Sequence, residues 1–107
     1  MSTKKIAFFA SGSGSNIENI VNYLEQKQRN VQYLIFCNKP DAFVLERAKK
    51  LKIDSIIFNK TGFRENDFVL EKLIDFQPDL IVLAGFLWLM PAKIIHKFPN
   101  MIINIHP

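Results

Sequence analysis

The sequence predicts an α/β protein built on a doubly wound, mainly parallel sheet, and three observations predict it. Short apolar runs alternate along the chain with longer amphipathic stretches, in the pattern βαβαβαβαβ. The apolar runs are apolar at nearly every position, which is typical of strands buried on both faces. No repeat, linker or low-complexity segment interrupts the 107 residues, so a single domain with one modest core is expected.

Five apolar runs are predicted to be strands, and they span residues 6–10, 31–37, 53–58, 80–84 and 101–105. Right-handed crossovers between neighbouring parallel strands give the strand order 3-2-1-4-5. In a sheet of this order a ligand crevice opens where the order reverses, outside the carboxyl ends of strands one and four.

The first predicted helix follows strand one and carries its apolar residues on one face. These residues are Ile17, Ile20, Val21 and Leu24. Ser15, with Glu18 three residues later, has the pattern of a capping box at the start of this helix.

Three further helices complete the pattern. Asp41 is suited to cap a second helix that runs to about Lys50. A third helix ends before Gln77, because a residue that precedes proline is pushed out of the α region. Pro91 suits the first turn of a short fourth helix that ends at about Lys97.

Composition limits the classes of partner. The formal net charge is +4 and the basic residues are scattered, which indicates a solvated surface and no nucleic-acid partner. No segment could span a bilayer, so no membrane partner is expected. The single cysteine, Cys37, permits no disulfide framework and is expected to be a small buried residue in a reducing, cytoplasmic compartment. Two histidines without a cysteine cluster predict no metal site.

A glycine-rich loop, Ser-Gly-Ser-Gly-Ser-Asn at residues 11–16, follows strand one. The unpaired N–H groups and the dipole of the helix after it predict an anion site, with a phosphate as its usual guest. A dinucleotide-binding fingerprint is the rival interpretation, but its third glycine is replaced by Ile17. Strand two ends in Phe-Cys-Asn-Lys, with no acid placed to bind a ribose diol. A glycine-rich turn without a ligand stays open as an alternative.

An apolar segment, Leu87, Trp88, Leu89 and Met90, follows strand four. It either packs into the core, which the residues alone favour, or walls a slot for a flat heterocycle.

Asn104 and the histidine two positions later, His106, alternate on one face of strand five and are expected to point toward the crevice. An amide and an imidazole can both hydrogen-bond an oxygen that gains charge during acyl transfer. The imidazole can also move the proton lost by an attacking amine. No acid near the crevice is available to orient the histidine.

Four stretches together resemble the glycinamide ribonucleotide formyltransferases, the folate-dependent enzymes of purine synthesis: "SGSGSN", "NKPDAFVLERA" at residues 38–48, "LAGFLWLM" at residues 83–90 and "INIHP" at the end. The resemblance covers the whole chain. It implies a Rossmann-like fold and transfer of a formyl group from 10-formyltetrahydrofolate, the co-substrate, to the amino group of 5'-phosphoribosylglycinamide.

The resemblance also implies roles for individual residues. Gly14, Ser15 and Asn16 match the loop that holds the substrate phosphate, and Arg64 matches a basic residue near the folate. A second set matches the lining of the folate pterin pocket, which favours the slot over the core for that segment: Leu87, Trp88, Leu89 and Met90. Trp88 stands where many members carry arginine.

Asn104 and His106 match the catalytic pair, with His106 as the residue that transfers the proton and Asn104 as a folate contact too. Members of the family continue past residue 107, and the aspartate that pairs with the histidine lies in that continuation. We therefore expect residues 1–107 to be the N-terminal, nucleotide-binding part of a formyltransferase domain, with little turnover as a separate piece.

Two alternatives remain. The first is a phosphate- or ribonucleotide-binding module without catalysis. The second is another folate-dependent formyltransferase, such as the enzyme acting on initiator methionyl-tRNA, although the "NKPDAFVLERA" stretch argues against it. Strand five is also expected to form an apolar sheet edge, and this edge predicts self-association.

Overall fold

The computed structural model describes residues 3–105. Within that range the chain forms five strands and four α-helices, with one π-helical turn over Thr61–Glu65 between β3 and α3. The strands are β1 (Lys4–Ala10), β2 (Val31–Cys37), β3 (Asp54–Ile57), β4 (Leu80–Ala84) and β5 (Ile102–Ile105). The helices are α1 (Ser15–Gln26), α2 (Val44–Leu51), α3 (Phe68–Phe76) and α4 (Ala92–Lys97).

All four strand pairings are parallel, and the sheet has the order β3-β2-β1-β4-β5. The predicted doubly wound fold and the predicted order 3-2-1-4-5 are therefore confirmed. The order reverses beside β1, so the loops after β1 and β4 emerge next to each other at one edge of the sheet.

The register sets a row of side chains across one face of the sheet. Phe36 pairs with Phe9, Phe9 with Leu83, and Leu83 with Asn104. The first two are fully buried aromatic residues and the last is an exposed amide. The row therefore leads from the core to the outer strand, and it ends on a polar group near the carboxyl end of β5.

Alternation along the strands divides the interior into two cores. On one face, Phe9, Phe36 and Ile81 pack under α3 and α4. On the other face, Phe8 and Ile35 pack under α1 and α2. Strand β1 lies at the centre of the sheet, and its residues 7–10 are buried on both faces, which explains their continuous apolar sequence.

Two predicted helix caps are wrong. The N-cap of α1 is Gly14 rather than Ser15, and no side chain caps the helix; the amide of Glu18 donates to the carbonyl oxygen of Gly14 at 3.0 Å. Asp41 does not cap α2, which begins at Val44. The Val44 amide instead donates to the carbonyl oxygen of Gly12 at 3.0 Å. Contact between the glycine loop and α2 therefore replaces the predicted cap of α2, whereas α1 begins at the Gly14 backbone without a side-chain cap.

Within residues 3–105, no helix combines the length and the apolar character needed to cross a membrane.

Candidate active site

Ser11, the first residue after β1, joins three loops at the carboxyl edge of the sheet. Its hydroxyl donates to Oδ1 of Asn38, after β2, with an oxygen–oxygen distance of 2.7 Å. The same oxygen accepts the amide of Leu87, after β4, at 3.0 Å, and the Ser11 amide donates to the Gly85 carbonyl at 3.3 Å. Ser11 is 4% exposed. Its hydroxyl therefore holds the loops after β1, β2 and β4 in a set arrangement.

The glycine loop turns into α1 at Gly14, whose φ angle is 75°. A side chain there would also overlap Val44 of α2. Gly14 is thus required both by its backbone conformation and by close packing. Gly12 differs, because it is exposed and a Cβ atom on it would meet no other atom within 4 Å.

The residues matched to the phosphate loop surround the start of α1. Ser15 is exposed, Asn16 is half-buried, and Gly14 lies beneath them. The first intrahelical bond of α1 is made by the Glu18 amide, so the amides that precede it face the helix entrance. The Ser15 amide already donates to the Ser13 hydroxyl oxygen, with 3.4 Å between the two atoms. The positive end of the helix dipole makes this position suited to an anion.

The segment after β4 divides between core and surface. Trp88 is half-buried and packs on Phe58 and Phe63, with ring centroids 6.0 Å apart in each pair. Leu87 and Leu89 point outward and are 70% and 82% exposed. Trp88 thus packs against the core, as the residues alone favoured, whereas Leu87 and Leu89 do not.

A cavity of about 500 Å³ lies beside this segment, between β4, β5 and α4. Its walls are mostly apolar, and they include Leu83 and Ile102 from the sheet and Phe98 after α4. All four residues assigned to the pterin pocket line it: Leu87, Trp88, Leu89 and Met90. Asn104 stands on the same wall as the last residue of the row across the sheet.

Arg64 is brought to the same segment. Its Nη2 donates to the carbonyl oxygen of Leu89 at 2.8 Å, and its guanidinium stacks on Phe63 with 5.4 Å to the ring centroid. Lys93 of α4 donates to the Arg64 carbonyl at 3.3 Å, which ties the π-helical turn to the helix beside the cavity. A cation therefore stands next to the apolar segment.

The predicted site residues form two neighbouring groups rather than one. The cavity walls do not include Gly14, Ser15 or Asn16; the loop reaches the cavity segment through the bonds of Ser11 to Gly85 and Leu87. The predicted position of His106 lies outside the described residues.

Three residues of the site carried no role in the sequence analysis: Ser11, Asn38 and Arg47. The last of these, on α2, donates from Nε to the Ser13 carbonyl at 2.6 Å. Asn38 and Arg47 belong to the "NKPDAFVLERA" stretch, which served only for recognition. That stretch was the sequence signal that could have indicated a role for Asn38 and Arg47. Their contacts with the loop, however, depend on tertiary packing.

Cys37 is a buried residue at the end of β2, and its thiol donates to the Lys39 carbonyl at 3.2 Å. Burial raises the pKa of this thiol, so the reactive thiolate is disfavoured. The expectation of a small buried residue is confirmed. Among residues 3–105, no three His, Cys, Asp or Glu side chains are grouped so that they could hold a metal ion.

Comparison with known proteins identifies the class. Residues 4–107 match the family described as formyl transferase. Because the match covers nearly all of the sequence, the chain belongs to the formyl transferase family.

Within this family the chain is similar to phosphoribosylglycinamide formyltransferases. It is 39% identical over 111 residues to the enzyme of that name from Bacillus subtilis, with 97% of this chain and 56% of the relative covered. The Escherichia coli enzyme of the same name is 31% identical over 107 residues, with coverage of 95% and 50%. The predicted resemblance is confirmed, and the chain spans about half the length of these relatives.

Solved structures agree. The phosphoribosylglycinamide formyltransferase of Brucella melitensis superposes with a TM-score of 0.88 at 28% identity, covering 99% of this chain and 58% of that one. Glycinamide ribonucleotide transformylase 1 of Geobacillus kaustophilus gives 0.87 at 31% identity, covering 99% and 59%.

Proposed function

We propose that this chain forms the nucleotide-binding part, residues 1–107, of an enzyme that transfers a formyl group from 10-formyltetrahydrofolate to the amino group of 5'-phosphoribosylglycinamide in purine biosynthesis. One observation carries the proposal. Ser11 bonds the loop at the α1 entrance to the segment that borders the apolar cavity, so an anion site and a site for a flat apolar group are held side by side. The names of the relatives include a phosphorylated ribonucleotide, which supports the anion site of this proposal.

At the anion site, the phosphate of the ribonucleotide is bound by Gly14, Ser15 and Asn16. The backbone amides at the start of α1 donate to its oxygens, and the exposed Ser15 hydroxyl and the Asn16 amide add side-chain donors. The open space above Gly12 leaves room for the ligand.

At the cavity, the chemistry of the walls fits a pterin ring. A flat heterocycle gains from apolar walls and from a few well-placed polar groups. The walls are apolar side chains from β4, β5 and the segment of Leu87, Trp88, Leu89 and Met90, with the Asn104 amide at one end. Arg64 supplies a cation beside this segment for the carboxylates that folates carry.

The transfer step needs a donor for the developing oxyanion and a group that moves a proton. The amine of the ribonucleotide attacks the formyl carbon, a carbon–nitrogen bond forms, and the carbonyl oxygen becomes negative. Asn104 donates to that oxygen. His106 accepts the proton lost by the amine and returns it to the departing nitrogen of the folate as the old carbon–nitrogen bond breaks.

The same proposal assigns the protein to the cytoplasm. Cys37 is the single cysteine in the sequence and it is buried, in keeping with a reducing compartment. Nucleic acid and membrane are not partners in this proposal, since the scattered basic residues form no continuous stripe.

Calorimetry and steady-state kinetics on the intact natural polypeptide test the proposal. We expect binding of both the ribonucleotide and tetrahydrofolate. We also expect Asn104→Ala to lower kcat by about 100- to 1,000-fold, because one oxyanion donor is lost. The exposed Asn19 on α1 provides the control, and Asn19→Ala should leave kcat unchanged.

The outcomes separate the alternatives. Ribonucleotide binding without folate binding, abolished by Asn16→Ala but not by His106→Ala, would favour a non-catalytic phosphate-binding module. Formylation of initiator methionyl-tRNA with no activity on the ribonucleotide would favour the other folate-dependent transferase. Either result would overturn the proposed reaction.

A further inference from the structure

The "NKPDAFVLERA" stretch contacts the glycine loop at four points that the two ligand sites leave unexplained. The first is the bond from the Val44 amide to the Gly12 carbonyl oxygen. Asn38 bonds the Ser11 hydroxyl, and Val44 packs directly against Gly14. Arg47 bonds the Ser13 carbonyl. These contacts follow one another along the loop, so α2 and the residues before it support the loop over its first four positions.

Arg47 makes the most specific of these contacts. Its Nε donates to the Ser13 carbonyl oxygen at 2.6 Å while its Nη1 donates to the Glu18 carboxylate at 2.5 Å. The guanidinium also lies over the Phe43 ring, 5.1 Å from its centroid. The planar fork is thus held on three sides, and it joins the loop to the first turn of α1.

The charges around Glu18 explain why an arginine is needed here. Glu18 lies in the first turn of α1, where a carboxylate would repel a bound phosphate. Arg47 and Lys50 both bond this carboxylate, with Lys50 Nζ at 3.1 Å. Two cations and one anion leave a net positive group beside the loop.

The Ser13 carbonyl is the second reason why position 47 needs an arginine. Ser13 is exposed, and it lies between two glycines that give the backbone freedom to rotate. A carbonyl turned toward the anion would set an oxygen against the phosphate. The bond to Arg47 holds that oxygen, so the peptide keeps the orientation that leaves the α1 entrance to the amide donors.

We infer that Arg47 is a positioning residue for the phosphate end of the substrate: it holds the Ser13 peptide and neutralises Glu18 without itself being a phosphate ligand. The phosphate part of this inference rests on the proposed function. The loop-holding part does not.

Calorimetry on the intact polypeptide tests the phosphate part of the inference by comparing the Kd values of two ligands. These are 5'-phosphoribosylglycinamide and the same ribonucleoside without its phosphate. We expect Arg47→Met to raise the Kd of the phosphorylated ligand by about 10- to 100-fold, the size expected when hydrogen bonds of charged groups are lost. The unphosphorylated ligand should bind as before. Arg47→Lys should rescue only part of the loss, because it keeps the charge but not the fork.

Arg29→Met is the matched control, since Arg29 is exposed and lies just after α1, at the opposite end from the loop. It should change neither Kd. Adding Glu18→Gln to Arg47→Met should recover part of the lost affinity by removing the repulsion. Full recovery would overturn the positioning role, because charge alone would then explain Arg47.

Hydrogen exchange of the amides of residues 13–16, without ligand, tests the loop-holding part. We expect about 10-fold faster exchange in Arg47→Met and no change in Arg29→Met. Unchanged exchange would overturn the inference whatever the ligands do, and so would an unchanged preference for the phosphorylated ligand. The wild-type protein could fail to bind the ribonucleotide while Arg47→Met still exchanges faster. That result would overturn the proposed function and leave Arg47 as the residue that holds the loop.

Discussion

The Ser11 hydroxyl donates to Oδ1 of Asn38 across 2.7 Å, and these two buried residues are 27 positions apart in the chain. The same hydroxyl accepts the amide of Leu87, 76 positions from Ser11. One small side chain therefore fixes how the loops after β1, β2 and β4 meet, and with them the relation between the anion site and the cavity.

Ser11→Ala should lower the free energy of unfolding by about 1–3 kcal/mol, because it leaves the Leu87 amide and Asn38 Oδ1 without their partner. Asn38 has no second hydrogen bond to compensate, since its buried Nδ2 already lacks a partner among the described residues. Urea unfolding measures the effect. Ser13→Ala, at an exposed serine of the same loop, should stay within about 0.5 kcal/mol, and equal effects of the two changes would contradict the prediction.

Gly14→Ala should destabilise the protein by at least about 1–2 kcal/mol, the cost of a left-handed conformation for a residue with a side chain. Overlap of the new Cβ with Val44 adds to this cost. Gly12→Ala, where a Cβ meets open space, should be close to neutral. Thermal unfolding of both variants distinguishes them, and a neutral Gly14→Ala would argue against the close packing of the loop on α2.

Trp88→Ala should cost about 2–3 kcal/mol, less than a fully buried tryptophan because Trp88 is half-buried. The loss comes from its ring contacts with Phe58, Phe63 and Phe86. Leu89→Ala, one position on and outward-facing, should change stability by less than about 0.5 kcal/mol. Chemical denaturation giving similar losses for both would show that the two side chains are not divided between core and surface.

Stability should depend on pH through Glu18. Hydrogen bonds from Arg47 and Lys50 lower the pKa of this carboxyl from its ordinary value near 4.5. A lowered pKa in the folded state contributes stability above about pH 4.5, and that contribution is lost as the pH falls through the lower folded-state value.

Glu18→Gln should therefore be less stable than the wild type at pH 7, with the difference shrinking below pH 4.5. Melting temperatures at pH 7 and pH 3 measure it. Glu46→Gln on the exposed side of α2 is the control and should show no such convergence. A constant difference between wild type and Glu18→Gln across this range would refute the role of the two cations.

We expect residues 1–107, produced as a separate polypeptide, to self-associate through β5. This strand pairs with β4 and lies at an edge of the described sheet, with Ile103 47% exposed. Sedimentation velocity should show oligomers whose fraction grows with concentration and falls in Ile103→Lys. Ile74→Lys, at an exposed position on α3, serves as the control; a monomer at high concentration would contradict the expectation.

The sequence alone was sufficient to locate the strands, and right-handed crossovers between them then gave their order in the sheet. Apolar runs such as Leu80–Ala84 reach into both cores, and their continuous hydrophobicity reports burial on two faces without any knowledge of partners. The carboxyl end of α3 was also predictable, because Pro78 after Gln77 ends a helix by local sterics.

Tertiary structure decided what the loops do. Ser15 and Asp41 have the local chemistry of helix caps, yet neither caps a helix. Helix α1 begins at Gly14, and the bond of the Val44 amide to the glycine loop takes the place of an Asp41 cap. Whether Trp88 faces the core depended on aromatic partners from other segments. Periodicity and proline effects act between near neighbours, so the sequence determined them. The bonds of Ser11 and Arg47 join residues far apart in the chain, and such bonds have no local pattern, because they exist only once the strands have set the loops side by side.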